Sequence, residues 1–465
     1  MTIASTPPAA RAAAPALAPI FLLAAALAGC AGPALDARHR EQGRRFEATA
    51  SPASAGAATP AVADRGDATF GALARLEREP LVREVLRRNP SLEAARQAWK
   101  ATLERYPQET SLDDPRLGVA VAPRSFGSSA VKGGERVDLA QRLPFPGKLA
   151  LRGESALALA EAAEGEFERE RQRLAEATSL LFDDYYLAAR AIEINAAHSA
   201  LLEELLGAAT ARYAAGEASQ QDPLAAEVEL AHAMHDAHVL ETARRLAVAR
   251  IDALLHRPPD AGLPPPPDAL AVPQGAAPDA AALAERALRE RPDLRAAEAR
   301  VRAEESAVAL ARREFLPDVT LVGGYDAFWQ EQELRPSVGV ELELPIRLAR
   351  RRGALGEAQA RRAQAASELA ALEDAVRLEV TSGVDRVEEA HHVLRVIEDR
   401  TLPASRDRAA AARAGYETGR NDFDAVIEAQ RTLRDAELDR ERALADLSRR
   451  QAELSRASGV LPVQP

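Results

Sequence analysis

Cysteine is almost missing from this chain. Cys30 is the only one in 465 residues, so no disulfide can form within a chain and thiol catalysis elsewhere is excluded. Aromatic residues make up only 4%, while Ala, Leu, Arg and Glu dominate, a mix that suggests long helices packed through small side chains. The formal net charge of −11 argues against general nucleic-acid binding. Enzyme signatures are missing too. There is no Gly-Lys-Ser/Thr phosphate loop, no Gly-x-Ser-x-Gly elbow and no His-Glu-x-x-His. Neither an enzyme nor a cofactor is expected, apart from a covalent lipid.

The N-terminus reads as an export signal. Arg11 precedes an apolar run from Ala12 to Leu27 that ends in Leu27-Ala28-Gly29-Cys30, the lipobox pattern of bacterial lipoproteins. Small residues at 28 and 29 suit a peptidase that needs an uncluttered backbone, and the thiol supplies the nucleophile that takes the diacylglyceryl group. Residues 1–29 are thus expected to be removed and Cys30 to carry the lipid; the plainer alternative is a secreted protein with a chance cysteine. Each acyl methylene buried in the bilayer contributes roughly 0.8 kcal/mol to anchoring. Ala31 replaces the Asp common in lipoproteins retained at the inner membrane, and by that resemblance the destination is the outer membrane. Residues 30–70, rich in Ala, Pro, Ser and Thr, read as a flexible tether.

The body is an internal duplication. Asn89-Pro90-Ser91-Leu92 matches Arg291-Pro292-Asp293-Leu294, and Pro115 matches Pro317. Leu143-Pro144-Phe145 matches Leu344-Pro345-Ile346, and Tyr213 and Gly216 match Tyr416 and Gly419. The offsets are 202, 202, 201 and 203, a drift too small for chance. The repeats are bounded at 71–256 and 279–459, with a Pro-rich linker at 257–278 and a tail at 460–465. Each starts with a helix at its Pro-Ser/Asp-Leu signal. Two alternating strands follow, Arg116–Ala122 and Glu135–Leu143 in the first repeat, Asp318–Phe328 and Ser337–Leu344 in the second. Two long helices then complete the repeat. Lys148 to about Arg212 contains no proline and spans roughly 98 Å at 1.5 Å per residue. Its counterpart, Ala349 to about Tyr416, is interrupted at Pro403, and Ala365, Leu369, Leu372, Val376, Val380, Val387 and Leu394 keep a coiled-coil seam.

The expected fold is therefore mainly α with a small β part: long coiled-coil hairpins plus four strands per chain. Four strands cannot close into a membrane barrel, which needs about eight, and an open edge in lipid leaves backbone groups unpaired. Three copies would give a closed twelve-stranded barrel. This order of elements resembles the TolC family of outer-membrane efflux proteins, from about Gly71 to Gly459. The resemblance is specific at Leu143-Pro144-Phe145-Pro146-Gly147-Lys148, at Arg212-Tyr213-Ala214-Ala215-Gly216, and at Tyr416–Gly419 followed by Glu428-Ala429-Gln430. It implies a homotrimer in outer-membrane lipid with a periplasmic extension. Its partners would be a periplasmic adaptor (membrane fusion) protein and an inner-membrane pump of the resistance-nodulation-division type. The Phe145–Lys148 and Gln220-Gln221-Asp222 segments look like the heavy-metal (CzcC- and CusC-like) branch, which favours metal cations over drugs as cargo. The competing reading is a lipidated periplasmic coiled-coil adaptor or scaffold, which would need a compact β-rich module in place of two strand pairs.

Several residues are candidates for function. Tyr213, Gly216, Tyr416 and Gly419 end helices and mark hairpin tips; in the family such tips form the periplasmic entrance and the adaptor's docking surface. Asp424 and Glu428 follow the second tip. By the resemblance, carboxylates here project into the pore, where a threefold ring would favour cations; one of the family's two acidic positions is Ala425 here. Asp222, before Pro223, could equally be an N-cap. His232, His235 and His238, at steps of three on one helix, are candidate metal ligands, although no carboxylate or cysteine completes a tetrahedral set. Phe126, Phe328, Trp329 and Phe145 lie at strand ends, as the aromatic girdles of a barrel would.

Overall fold

The computed structural model describes residues 32–49, 70, 73–125, 128–130, 133–271 and 278–461. The expected signal peptide, Cys30 and Phe126 lie outside the described residues. Two compact units emerge, each assembled from separated stretches of the described residues: those within 32–49, 97–164 and 296–369 in one, and within 70–96, 165–295 and 370–461 in the other.

The first unit contains the sheet. Strands β1 (Arg116–Val121), β2 (Glu135–Leu143), β3 (Asp318–Asp326) and β4 (Pro336–Glu343) form one antiparallel sheet in sequence order. The strand readings hold to within a residue or two, and β3 stops short of Phe328. Helix α1 (Pro33–Ala48) overturns the tether reading over its length. Proline opens it, where a missing N–H costs nothing. Leu35, His39, Gln42 and Phe46 then share one face. Leu35 packs with Tyr106 and Leu157, His39 stacks on Tyr106 at 4.5 Å, and Phe46 meets Trp99 edge-on. Arg38 and Arg302 both pair with Glu161.

A buried cation fastens the sheet to the helix that follows. Lys148, 1% exposed, donates to Asp318 (2.8 Å), to the Leu316 carbonyl (3.3 Å) and to Glu314 (3.4 Å). Asp318 also accepts from the Phe145 N–H and from Arg142, both at 2.8 Å. Gly147 between them has φ +86°, and a Cβ there would strike the Arg313 guanidinium. The Pro-Gly-Lys motif is thus the joint by which the first repeat grips the start of β3.

Helices dominate the rest of the described chain. Before each repeat's Pro signal lies a helix not read from the sequence: α2 (Arg78–Arg88) ahead of α3 (Pro90–Leu103), and, after the short α4 (Arg105–Thr110), α7 (Ala280–Glu290) ahead of α8 (Pro292–Arg313). The long hairpins are α5 (Lys148–Ala214) with α6 (Gln221–Leu254), and α9 (Leu348–Val396) with α10 (Leu402–Glu417) and α11 (Phe423–Ala457). Pro403 does not break its helix. The chain widens to a π-helical turn at Ile397–Thr401, which accommodates the missing N–H and the ring's clash with the preceding turn. Phe182, Tyr185, Val384, Val387, Leu444 and Leu447 share one core, and Val376, Val380 and Leu394 of the expected seam are buried.

The duplication extends to single bonds. Asn89 donates to the Leu254 carbonyl at the end of α6, and Arg291 donates to the Ala457 carbonyl at the end of α11. Both helices end in a Schellman turn, with the C-terminal residue in the left-handed region: His256 (φ 54°) in one repeat, Gly459 (φ 83°) in the other. The described part of the Pro-rich linker is tied down, its Pro264 and Pro265 carbonyls accepting from Tyr185 and from the Leu76 N–H.

Candidate functional site

Two features stand out, one in each unit. In the sheet, the strand registers align Leu117, Leu139, Gly323 and Val338 in one row and Val119, Val137 and Tyr325 in the next but one. Gln141, Leu321 and Val340 form a further row on this face, and Leu143, Val319 and Leu342 another. Its strongly polar side chains are Gln141 and, at the start of β2 opposite Val121, Glu135. The opposite face carries Arg136, Asp138, Arg142, Thr320, Glu341 and Glu343, with ion pairs from Arg136 to Asp138 and from Arg142 to Asp318 and Glu343.

In a water-soluble sheet the apolar face would be the covered one. Here it is bare: Leu117, Val119, Val338, Val340 and Leu342 are each more than half exposed. The two edge strands, β1 and β4, are paired on one side only. Phe328 and Trp329, in the β3–β4 connection, are exposed as a girdle requires, whereas Phe145 is half-buried. Among the described residues no helix is long and apolar enough to cross a membrane.

At the hairpin tips, both Tyr-x-x-Gly motifs are Schellman turns. Gly216 (φ 74°) and Gly419 (φ 70°) donate to the carbonyls of Tyr213 and Tyr416, and Glu217 and Arg420 donate to Arg212 and Gly415. The tyrosines fare differently. Tyr416 is buried against Phe423 (5.2 Å between centroids), and its hydroxyl donates to Asp222 at 3.2 Å. The Arg212 guanidinium sits 4.5 Å over its ring and donates to its carbonyl at 3.0 Å. Burial, with Asp222 beside it, pushes the Tyr416 phenol above its ordinary pKa, so it remains a donor at neutral pH. Tyr213 is 45% exposed and makes none of these contacts.

Asp222 is therefore no N-cap; it lies in the first turn of α6 and holds Tyr416. Asp424 and Glu428 are both exposed on α11. Asp424 accepts from Gln221 at 3.4 Å, and Glu428 lies 3.6 Å from Arg431. Deeper in the same hairpins, Arg431 pairs with the buried Glu229 and holds its carboxyl below the usual range, while burial lowers the pKa of His198 beside it. The sequence reading missed Arg212, Glu229 and Arg431. Arg212 stands where the second repeat has Gly415, a departure from the duplication that could have marked it.

The histidine triplet does not assemble a metal site. His232, His235 and His238 are exposed, and no cluster of three or more His, Cys, Asp or Glu among the described residues could hold an ion. Successive steps of three drift around the helix, and no second element brings a further ligand.

Residues 283–460 match the family model "Outer membrane efflux protein". Solved structures extend the likeness to the whole fold. The outer-membrane channel OprN is 24% identical over 82% of this chain and 89% of that one, with a TM-score of 0.68. VceC from Vibrio cholerae is 20% identical over 82% and 95%, with a TM-score of 0.69. CusC is 16% identical over 84% and 93%, with a TM-score of 0.66. No curated protein matches the chain by sequence. Residues 283–460 thus match an outer membrane efflux protein domain, and the chain shares the fold of these solved outer-membrane proteins.

Proposed function

We propose that three copies close their sheets into a twelve-stranded barrel and form the outer-membrane duct of a tripartite efflux system. The bare apolar face on a four-stranded sheet with two open edges carries this reading, since lipid covers such a face and only closure satisfies such edges. The duplication supplies the pairing between copies. Transferring the β2–β3 register, in which Leu143 faces Val319, by the repeat offsets puts Leu344 opposite Leu117 of the next copy and Leu342 opposite Val119. That register continues the apolar face around the ring.

Cys30 would carry the acyl anchor, and a periplasmic adaptor and an inner-membrane pump would deliver cargo at the tips. The contacts of Arg212 and Asp222 with Tyr416 would restrain the entrance until the adaptor docks. Asp424 and Glu428 of three copies would ring it with negative charge, which suits cationic cargo, heavy-metal ions first. Reconstitution of the purified protein in planar bilayers tests the duct: a trimer with single-channel conductance is expected, and a non-conducting monomer would overturn it. Reversal potentials test the ring, which requires weaker cation selectivity in Glu428→Ala.

A further inference from the structure

The apolar face of β4 continues past the end of the strand. Its alternation runs on from Val338, Val340 and Leu342 through Leu344, Ile346 and Leu348, the last three 64, 82 and 45% exposed. The β3–β4 register ends at Glu343. Beyond it the backbone is satisfied locally. Two three-residue turns join the Ile346 N–H to the Leu344 carbonyl at 2.9 Å and the Leu348 N–H to the Ile346 carbonyl at 3.0 Å, and Pro345 has no N–H to satisfy. A self-contained backbone beneath bare apolar side chains suits hydrocarbon, which offers no hydrogen bonds. The first repeat differs here: Phe145 is half-buried, and Lys148 is buried on Asp318.

Four arginines crowd the same segment: Arg347, Arg350, Arg351 and Arg352. No acidic residue lies between Glu343 and Glu357, and among the described residues none of the four has an ion-pair partner. The first turn of α9 holds no acid, although the helix dipole favours anions at that end. Arg351 and Arg352 follow Leu348 by three and four residues and share its side of the helix. Arg350, two residues on, lies on the other side, as does Arg347, which alternates with Ile346 and Leu348. Arg351 is half-buried and held in place, its Nε donating to the Glu314 carbonyl at 2.6 Å, while Arg352 is exposed.

We propose that this segment binds an anionic phospholipid of the membrane leaflet nearest the helices. The acyl chains lie along Leu344, Ile346 and Leu348, and the headgroup phosphate sits between the guanidinium groups of Arg351 and Arg352. A phospholipid is the occupant because one molecule then supplies both the hydrocarbon and the negative charge that this strip lacks. The strip is continuous with the face that barrel closure turns to lipid, so the proposal rests on that reading. A cation near an anionic lipid surface strengthens attraction about fivefold, so the pair should give a preference of roughly 25-fold for phosphatidylglycerol over phosphatidylcholine, weakening as salt rises.

The purified protein in neutral detergent is titrated with fluorescent phosphatidylglycerol and, separately, with fluorescent phosphatidylcholine, and its trimer content and bilayer conductance are measured alongside. The wild type is expected to show the preference. Arg351→Gln with Arg352→Gln should abolish it, while Arg347→Gln with Arg350→Gln, which removes the same charge from the other side, should keep it. Equal losses in the two double variants overturn the site, as does a preference that high salt leaves intact. Loss of trimers in the Arg351/Arg352 variant in neutral detergent also overturns it, because these arginines would then pair with carboxylates of another copy. A conducting wild-type trimer with no lipid preference overturns the site and leaves the duct standing. A wild type that neither trimerises nor conducts overturns the duct, and the site with it.

Discussion

Replacing Tyr416 by Phe removes one hydroxyl from the tip and leaves the ring under Arg212 and beside Phe423. The lost bond runs 3.2 Å to a partly exposed carboxylate. It belongs at or below the low end of the roughly 1.5–3 kcal/mol typical of bonds to charged groups, or about 1 kcal/mol. Three copies opening together would lose about 3 kcal/mol, and at about 1.4 kcal/mol per factor of ten the open state should gain roughly a hundredfold. Arg212→Ala removes a cation–π contact worth about 0.5–1 kcal/mol as well as the bond to the Tyr416 carbonyl, so its effect should be larger. Asp222→Asn keeps a neutral acceptor and should fall between wild type and Tyr416→Phe. Single-channel open probability in planar bilayers reads all three. Unchanged open probability in both Tyr416→Phe and Arg212→Ala would refute the latch.

Further expectations concern the sheet, a helix end and a buried acid. Val340→Arg puts a cation on the apolar face at a cost of roughly 2–4 kcal/mol per copy at the bilayer midplane. It should prevent recovery of membrane-embedded trimers, while Glu341→Arg on the opposite face should not; equal recovery of the two would contradict the assignment of faces. His256→Gly relieves a left-handed backbone that glycine adopts freely. It should raise the thermal midpoint of the helical signal, by about 0.5–1 kcal/mol of stability, and an unchanged or lower midpoint would count against strain there. Asp183 is fully buried, and burial pushes its pKa up to about 6 despite Arg78 and Ser448 beside it. A raised carboxyl pKa means that its stabilising contribution is complete below the ordinary carboxylate range and is lost as pH rises through about 6. Stability should therefore fall by up to about 3 kcal/mol between about pH 4 and pH 7, and Asp183→Asn should flatten that slope in pH-resolved melts.

Much of the fold could be read because each local signal was repeated. Strand alternation, the Leu-Pro pair and the Tyr-x-x-Gly turn each occur twice at almost one spacing, so a weak pattern in one half was checked by the other. Helix α1 has no such second copy. Its buried face is Leu35, His39, Gln42 and Phe46, half of it polar, and the burial of Gln42 depends on a bond to the Leu157 carbonyl that only tertiary packing provides. Helices α2 and α7 escaped because the proline beginning the next helix drew the boundary too late, although Leu81, Val82 and Val85 already mark an amphipathic face. The widening at Ile397–Thr401 has no local signature beyond Pro403 itself, and proline alone does not say whether a helix breaks or bulges.

The site needed a different kind of reading. A spacing of three between histidines looks like chemistry, yet it assembles nothing without a facing element, and α6 offers that face to none of the described residues. Asp222 and Asp424 share an offset and a helix position, so sequence alone treats them as equals; only the partners of Tyr416 separate them. In a duplicated chain the informative positions are those where the repeats agree in sequence register and disagree in burial. Tyr213 against Tyr416, and Leu246 against Ser448, are such pairs. Each exposed member lacks, within its own chain, the contact that its buried counterpart makes, so here the difference between the repeats says more than their likeness.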